Sequence, residues 1–141
     1  MKLNSLWAVL LILFIGIYPS EKFEWYAHVH NLDKVMHFLG GFVIAWSIWQ
    51  LFEWERRQFS GFTIFILVVG GTAIIGIVWE IAEYFSNIYL GPSSSPVKQL
   101  IYHYFHGGDL TDTLGDLFSD LIGAVAFAVG SIVTRRRTVK R

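Results

Sequence analysis

Residues 61–79, GFTIFILVVGGTAIIGIVW, contain no charged side chain and end directly before Glu80. This run and Val35–Phe52 both reach the roughly 17–20 residues that a helix needs to cross about 30 Å of hydrocarbon. Two further apolar runs are Leu6–Tyr18 and Leu117–Val133. A chain that is 54% hydrophobic and 17% aromatic is too apolar for an ordinary soluble domain of this size. The sequence therefore predicts a single integral membrane domain over residues 1–141.

The fold class that these runs predict is all-α, a polytopic membrane protein with a compact bundle of four transmembrane helices. The expected helices cover residues 5–19, 34–53, 60–84 and 114–134. A secretory signal is the alternative for the first run, but no A-x-A-like cleavage site follows it, which favours an uncleaved helix. After the break at Gly91–Pro96, residues 97–106 place apolar side chains on one helical face. We expect a short interfacial helix there, in the third, extracytoplasmic loop.

Basic residues are unevenly distributed between the predicted loops. With the N-terminus inside, eight Lys and Arg residues are cytoplasmic, while only Lys22, Lys34 and Lys98 lie outside. This bias predicts a bacterial-type inner-membrane protein with both termini in the cytoplasm. The basic C-terminal tail is interpreted as a topology determinant and an anchor for anionic lipids, so no nucleic-acid partner is expected.

Acidic and histidine side chains gather at one end of the predicted helices, where alternating helix directions bring them to the extracytoplasmic side. They are Asp33, His37, Glu80, Glu83, Asp112, Asp116 and Asp120. Ionisable groups at membrane depth are costly unless they are paired or coordinated, so such a cluster is a candidate functional site. For single members, simpler roles stay open: Asp33 as a helix cap, and Glu83 solvated at the interface.

The strongest element is the stripe Asp112, Asp116 and Asp120, whose spacing of four residues keeps them on one helical face. Three neighbouring negative charges repel and need a lysine, a histidine or a divalent cation. Oxygen-rich ligand sets suit Mg²⁺, Ca²⁺ or Mn²⁺, and Zn²⁺ accepts histidine as well. The alternative uses salt bridges, pairing Asp116 with Lys34 and Asp120 with His37, and leaves Asp112 as a helix cap.

A divalent metal site is therefore one expectation, as the cofactor of the cluster. Its expected ligands are Asp112, Asp116, Glu80 and His37, of which His37 and Glu80 are also the candidate catalytic residues. The expected supporting residues are Asp33, Glu83, Asp109 and Asp120, and Asp120 lies too deep to bind the ion directly.

Several polar positions occur in an order that resembles a known family. The order is Asp33-Lys34-x-x-His37-Phe38, then Glu80-x-x-Glu83, then Asp109-x-x-Asp112-Thr113-x-x-Asp116-x-x-x-Asp120. It resembles the YjdF-like family of small bacterial inner-membrane proteins and is more distantly similar to VanZ-like proteins. The resemblance implies a polytopic helical membrane protein whose shared polar residues lie at helix ends. It implies no catalytic assignment.

Three functions compete for the cluster. It could bind a divalent cation and act on a lipid head group or lipid-linked phosphate from the outer leaflet. It could only hold the bundle together or dock a partner. It could carry protons or cations, but no charge lies between Glu53 or Glu55 and the outer cluster, which disfavours a relay.

The chain has no cysteine, which excludes thiolate sites and disulfides. Whether the protein is an enzyme stays open at this point.

Overall fold

The computed structural model describes residues 31–52, 58–89 and 109–139, which form three α-helices. Helix α1 is Leu32–Leu51, α2 is Gly61–Tyr89 and α3 is Leu110–Val139. The all-helical prediction is confirmed for these three helices. The expected helix at 5–19, the interfacial helix at 97–106 and the loop with Arg56 and Arg57 lie outside the described residues.

Each helix begins at a residue suited to that place. Asn31, with φ 61°, adopts the left-handed conformation before α1, which Asn tolerates better than most residues. Ser60 Oγ accepts a hydrogen bond from the Thr63 amide before α2. Before α3, Asp109 Oδ1 accepts hydrogen bonds from the amides of Thr111 and Asp112, as a helix cap does. Helix α3 therefore starts earlier than the expected 114, and its cap is Asp109 and not Asp112.

Helices α1 and α3 run in the same direction and approach each other closely. Their first turns meet, since Lys34 bonds to Asp112. Farther along, a Cβ atom on Gly41 would overlap the backbone of Asp120, and one on Gly123 would overlap the Phe38 carbonyl. Small residues permit such approach between membrane helices. The two glycines thus fix how α1 and α3 cross.

Helix α2 runs in the opposite direction and packs more extensively on α3 than on α1. Gly71 faces Ile48 near the end of α1, and Gly76 faces Asp120 on the first half of α3. The later part of α2, with Glu80 and Glu83, therefore lies beside the first turns of the other two helices. This confirms that helices of alternating direction bring the polar residues to one end.

The polarity of the bundle is inverted relative to a soluble protein. Its buried polar residues are Thr72, Glu80, Glu83, Ser86, Asp116 and Asp120, and its apolar core includes three alanines, Ala45, Ala124 and Ala128. Large apolar side chains face outward, with Phe62 74% exposed and Phe118 66% exposed. In water such a surface would be an interaction or aggregation liability, whereas lipid solvates it. The structure therefore fits a membrane protein.

Among the described residues, two helical stretches are long and apolar enough to cross a membrane, Gly61–Tyr89 and Leu110–Arg135. Helix α1 does not meet the same criterion, so the expectation that Val35–Phe52 is one of the two full-length spans is not supported. Its first two turns carry Asp33, Lys34 and His37. The apolar part that remains is shorter than a full span.

Candidate functional site

The ammonium group of Lys34 lies at the centre of the acidic stripe. Its Nζ donates hydrogen bonds to Asp112 Oδ1 at 2.6 Å and to Asp116 Oδ1 at 2.7 Å. It also contacts the Asp112 carbonyl oxygen at 3.2 Å and Asp33 Oδ2 at 3.4 Å. Gly115 makes room for the side chain, because a Cβ atom there would lie 3.1 Å from Lys34 Cε. A lysine from α1 therefore supplies positive charge to the aspartates of α3.

The imidazole of His37 lies between two buried aspartates. Its Nε2 is 3.7 Å from Asp116 Oδ1 and 3.9 Å from Asp33 Oδ1, while its Nδ1 is 3.5 Å from Asp120 Oδ2. These distances exceed the usual 2.7–3.2 Å of a nitrogen–oxygen hydrogen bond, so the contacts are electrostatic. The pairs seen are those of the salt-bridge alternative, Asp116 with Lys34 and Asp120 with His37.

Asp120 is the deepest carboxylate of the stripe, and glycines make space for it. A Cβ atom on Gly76 of α2 would lie 2.9 Å from Asp120 Oδ2, and one on Gly40 would lie 3.9 Å from Oδ1. Glycines in membrane helices usually serve the close approach of helix backbones. Their second effect, a slot for a buried carboxylate, depends on the facing helix and has no signal in the sequence.

Helix α2 contributes two buried carboxylates. Glu80 is only 7% exposed, and its Oε1 has no hydrogen-bond partner in the described part of the chain. The Glu80 carboxylate lies beside the Thr113 side chain and within electrostatic range of His37. Glu83 Oε1 accepts a hydrogen bond from Trp79 Nε1 at 2.6 Å. Because Glu83 is buried, the alternative that it is solvated at the interface is wrong.

Three of these side chains lie close enough together to hold a metal ion. Potential ligand atoms of Asp33, His37 and Asp116 all lie within 4.8 Å of one another. The trio shares His37 and Asp116 with the ligand set expected from the sequence and adds Asp33, expected only as a supporting residue. Asp112 is instead bonded to Lys34. Asp109, another expected supporting residue, is exposed at the start of α3.

Residues 2–137 match the family model described as "Predicted membrane protein (DUF2238)". The chain belongs to this family. An uncharacterized protein of Thermotoga maritima is 26% identical over 129 residues, which cover 89% of this chain and 59% of the relative. The chain thus spans about three fifths of the length of the curated relative it matches. No solved structure matches the chain. Membership in DUF2238 agrees with the two apolar spans and supports the prediction of a membrane protein.

In this DUF2238 protein, the carboxylates at the polar end of the described bundle outnumber the basic groups. Lys34 and His37 face six carboxylates, those of Asp33, Glu80, Glu83, Asp112, Asp116 and Asp120. Buried charges need partners, because a low-dielectric environment makes an isolated ion very unfavourable. The cluster therefore has the chemistry of a site that takes up further positive charge, as a metal ion or as protons.

Proposed function

We propose that this DUF2238 protein binds a divalent cation through Asp33, His37 and Asp116. The observation that carries the proposal is the buried Oε1 of Glu80, which has no partner in the described chain and lies beside a cluster already short of positive charge. The spacing of the trio supports it. The two carboxylates are hard ligands and the imidazole is a borderline ligand. Mn²⁺ and Zn²⁺ therefore fit this set better than Mg²⁺ or Ca²⁺.

The chemistry that such an ion supplies indicates a substrate class. A bound divalent cation neutralises phosphate charge and activates water for attack on phosphorus. We propose that the substrate is a lipid head group or lipid-linked phosphate that reaches the polar end of the bundle from the outer leaflet. Glu80 is the proposed proton acceptor, since a carboxylate side chain serves as a general base, whereas His37 uses its lone pair on the ion.

A structural role is the second candidate, and the position of Lys34 favours it. Lys34 joins α1 to α3 through hydrogen bonds to two aspartates at 2.6 and 2.7 Å. In this case the cluster only holds the bundle together. A carrier role has less support, because Thr72, a buried polar side chain farther along α2 from the cluster, donates to its own helix at Val68. The two main candidates differ in whether a metal ion stabilises the protein.

A thermal-stability measurement with and without chelator separates them. We expect Mn²⁺ or Zn²⁺ to stabilise the purified protein, by about 2.7 kcal/mol when the free ion is at 100 times its Kd. Asp116→Asn should abolish this gain because it removes a charged ligand at nearly constant size. Asp120→Asn should only weaken it, since Asp120 contacts His37 at 3.5 Å and lies outside the trio.

The matched control is Asp109→Asn, a substitution of the same kind at an exposed position of the same region. Asn caps helices as well as Asp does, so the metal response should be unchanged. If neither chelator nor added Mg²⁺, Ca²⁺, Mn²⁺ or Zn²⁺ changes the melting curve of the wild type, the proposal of a metal site is refuted and the structural role remains.

The proposed location is the bacterial-type inner membrane, with both termini in the cytoplasm. Reporter domains fused at Gln58 and at Ser94 should then lie on opposite sides, with Gln58 in the cytoplasm, because the two positions flank one apolar span. Protease accessibility in spheroplasts and inverted vesicles provides the measurement. If both reporters lie on the same side, α2 does not cross the membrane.

We infer that the YjdF-like proteins and the DUF2238 family are one family. The resemblance covers residues 33–128, and the family model covers residues 2–137 of the same chain. Both describe membrane proteins. The more distant similarity to VanZ-like proteins stays a prediction from the motif order, and no substrate is transferred from it.

A further inference from the structure

The carboxylate of Asp116 is shared between two basic groups. Its Oδ1 accepts a hydrogen bond from Lys34 Nζ at 2.7 Å and lies 3.7 Å from His37 Nε2. The same residue belongs to the proposed ligand trio. A divalent ion held by Asp116 would lie about 2.0–2.6 Å from a carboxylate oxygen, close to the ammonium group that contacts this carboxylate. Because the two positive charges repel, Lys34 and the ion compete for Asp116.

Lys34 does not satisfy the whole cluster. It reaches Asp112, Asp116 and Asp33, but Glu80 keeps a buried oxygen without a partner among the described residues. The cluster therefore holds more negative charge than one ammonium group neutralises. Replacing the single charge of the Lys34 ammonium with the double charge of a divalent ion would neutralise more of the carboxylates.

The position of Lys34 allows its side chain to move away from Asp116. It is the third residue of α1, and its side chain is 31% exposed, whereas that of Asp116 is 4% exposed. Gly115 beside it has no side chain to hold it in place. Lysine has a long flexible stem and places its charged end in a polar interface whenever it can reach one.

We propose that the Lys34 ammonium occupies the cation site in the metal-free protein and that a divalent ion displaces this ammonium on binding. The proposal rests on the proposed cation binding and adds its regulation. Without the ion, Lys34 holds Asp112 and Asp116 and ties α1 to α3. With the ion bound, Lys34 releases Asp116 and extends toward the membrane surface, where lipid phosphates supply new partners.

The first test is a titration of purified protein with Mn²⁺, comparing wild type with Lys34→Met. Removal of the competing charge should lower the Kd for Mn²⁺ at least tenfold, although the metal-free variant is less stable. Arg135→Gln is the control, because it removes one positive charge near the opposite end of α3. Its Kd should equal that of wild type, which separates competition at Asp116 from the overall charge of the protein.

The second test needs no variant and therefore holds even if Lys34→Met does not fold. Reductive methylation of the wild-type protein, followed by mass spectrometry, measures how reactive each lysine amine is. Saturating Mn²⁺ should raise the methylation rate of Lys34 severalfold, since its amine leaves the carboxylates. The rates at Lys2 and Lys98 provide the internal reference.

The outcomes separate the two proposals. If Mn²⁺ and Zn²⁺ bind neither wild type nor Lys34→Met, cation binding itself fails, and the exchange fails with it. If Mn²⁺ binds wild type and Lys34→Met equally well, or if saturating Mn²⁺ leaves Lys34 methylation unchanged or slower, the exchange is refuted while the cation site remains.

Discussion

Gly123→Ala should separate α1 from α3 and destabilise the protein by about 1–3 kcal/mol, the usual cost of overpacking a close contact. The added methyl group would overlap the Phe38 carbonyl oxygen and approach the Phe42 amide. Both are backbone atoms, so no side chain can rotate away and the helices themselves must move. Because Lys34, His37 and the aspartates meet across this pair of helices, the polar cluster should loosen as well.

Gly130→Ala is the matched control, on the same helix but with no atom within 4 Å of the added carbon. It should be neutral or stabilising, since alanine favours helix over glycine by about 1 kcal/mol. Unfolding of the detergent-purified variants by titration with a denaturing detergent measures the difference. Equal stability of the two variants would show that α1 and α3 do not cross at Gly123.

Lys34→Met should be the second large effect, with a loss of roughly 3 kcal/mol, toward the lower end of values for breaking a buried ion pair because Lys34 is partly exposed. The substitution preserves most of the stem and removes only the charge. It leaves Asp116, which is 3% exposed, with His37 at 3.7 Å as its described basic neighbour. The loss reflects an uncompensated carboxylate more than the strength of the bond itself.

A double-mutant cycle tests this explanation. In the metal-free protein, Lys34→Met combined with Asp116→Asn should be less destabilising than the sum of the single changes, with a coupling of about 0.5–3 kcal/mol. Thr72→Val is the control partner, since the Thr72 hydroxyl bonds within its own helix. Lys34→Met and Thr72→Val should be additive. Additivity of the Lys34 and Asp116 changes would contradict the ion pair.

The sequence predicted the three described helices and the end at which their polar residues meet, because both depend on local patterns. Apolar length indicates a membrane helix, and successive helices that each cross the bilayer alternate in direction. The spacing of Asp112, Asp116 and Asp120 likewise predicted one face without any tertiary information. The extent of the second span was harder to predict, since Lys34 directly precedes the apolar run Val35–Phe52 and His37 lies inside it.

The internal arrangement of the site could not be predicted, because it depends on how the helices are rotated against each other. From the sequence, either a metal ion or a lysine could neutralise the charge of the aspartates. Lys34 lies between two of them only because of the way α1 and α3 are rotated toward each other. The same rotation brings Asp33 into the ligand trio. Asp109 caps α3 instead of Asp112 because the helix begins at Leu110, earlier than expected.

The bond between Lys34 and Asp112 joins positions 78 residues apart, and this separation has a consequence for biogenesis. When α1 leaves the ribosome, the two α3 aspartates that bond to Lys34 have not yet been synthesised. A short apolar segment with three ionisable side chains in its first turns partitions poorly into lipid on its own. We therefore expect α1 to remain at the membrane surface until α3 is inserted, so that the order of insertion differs from the order of translation.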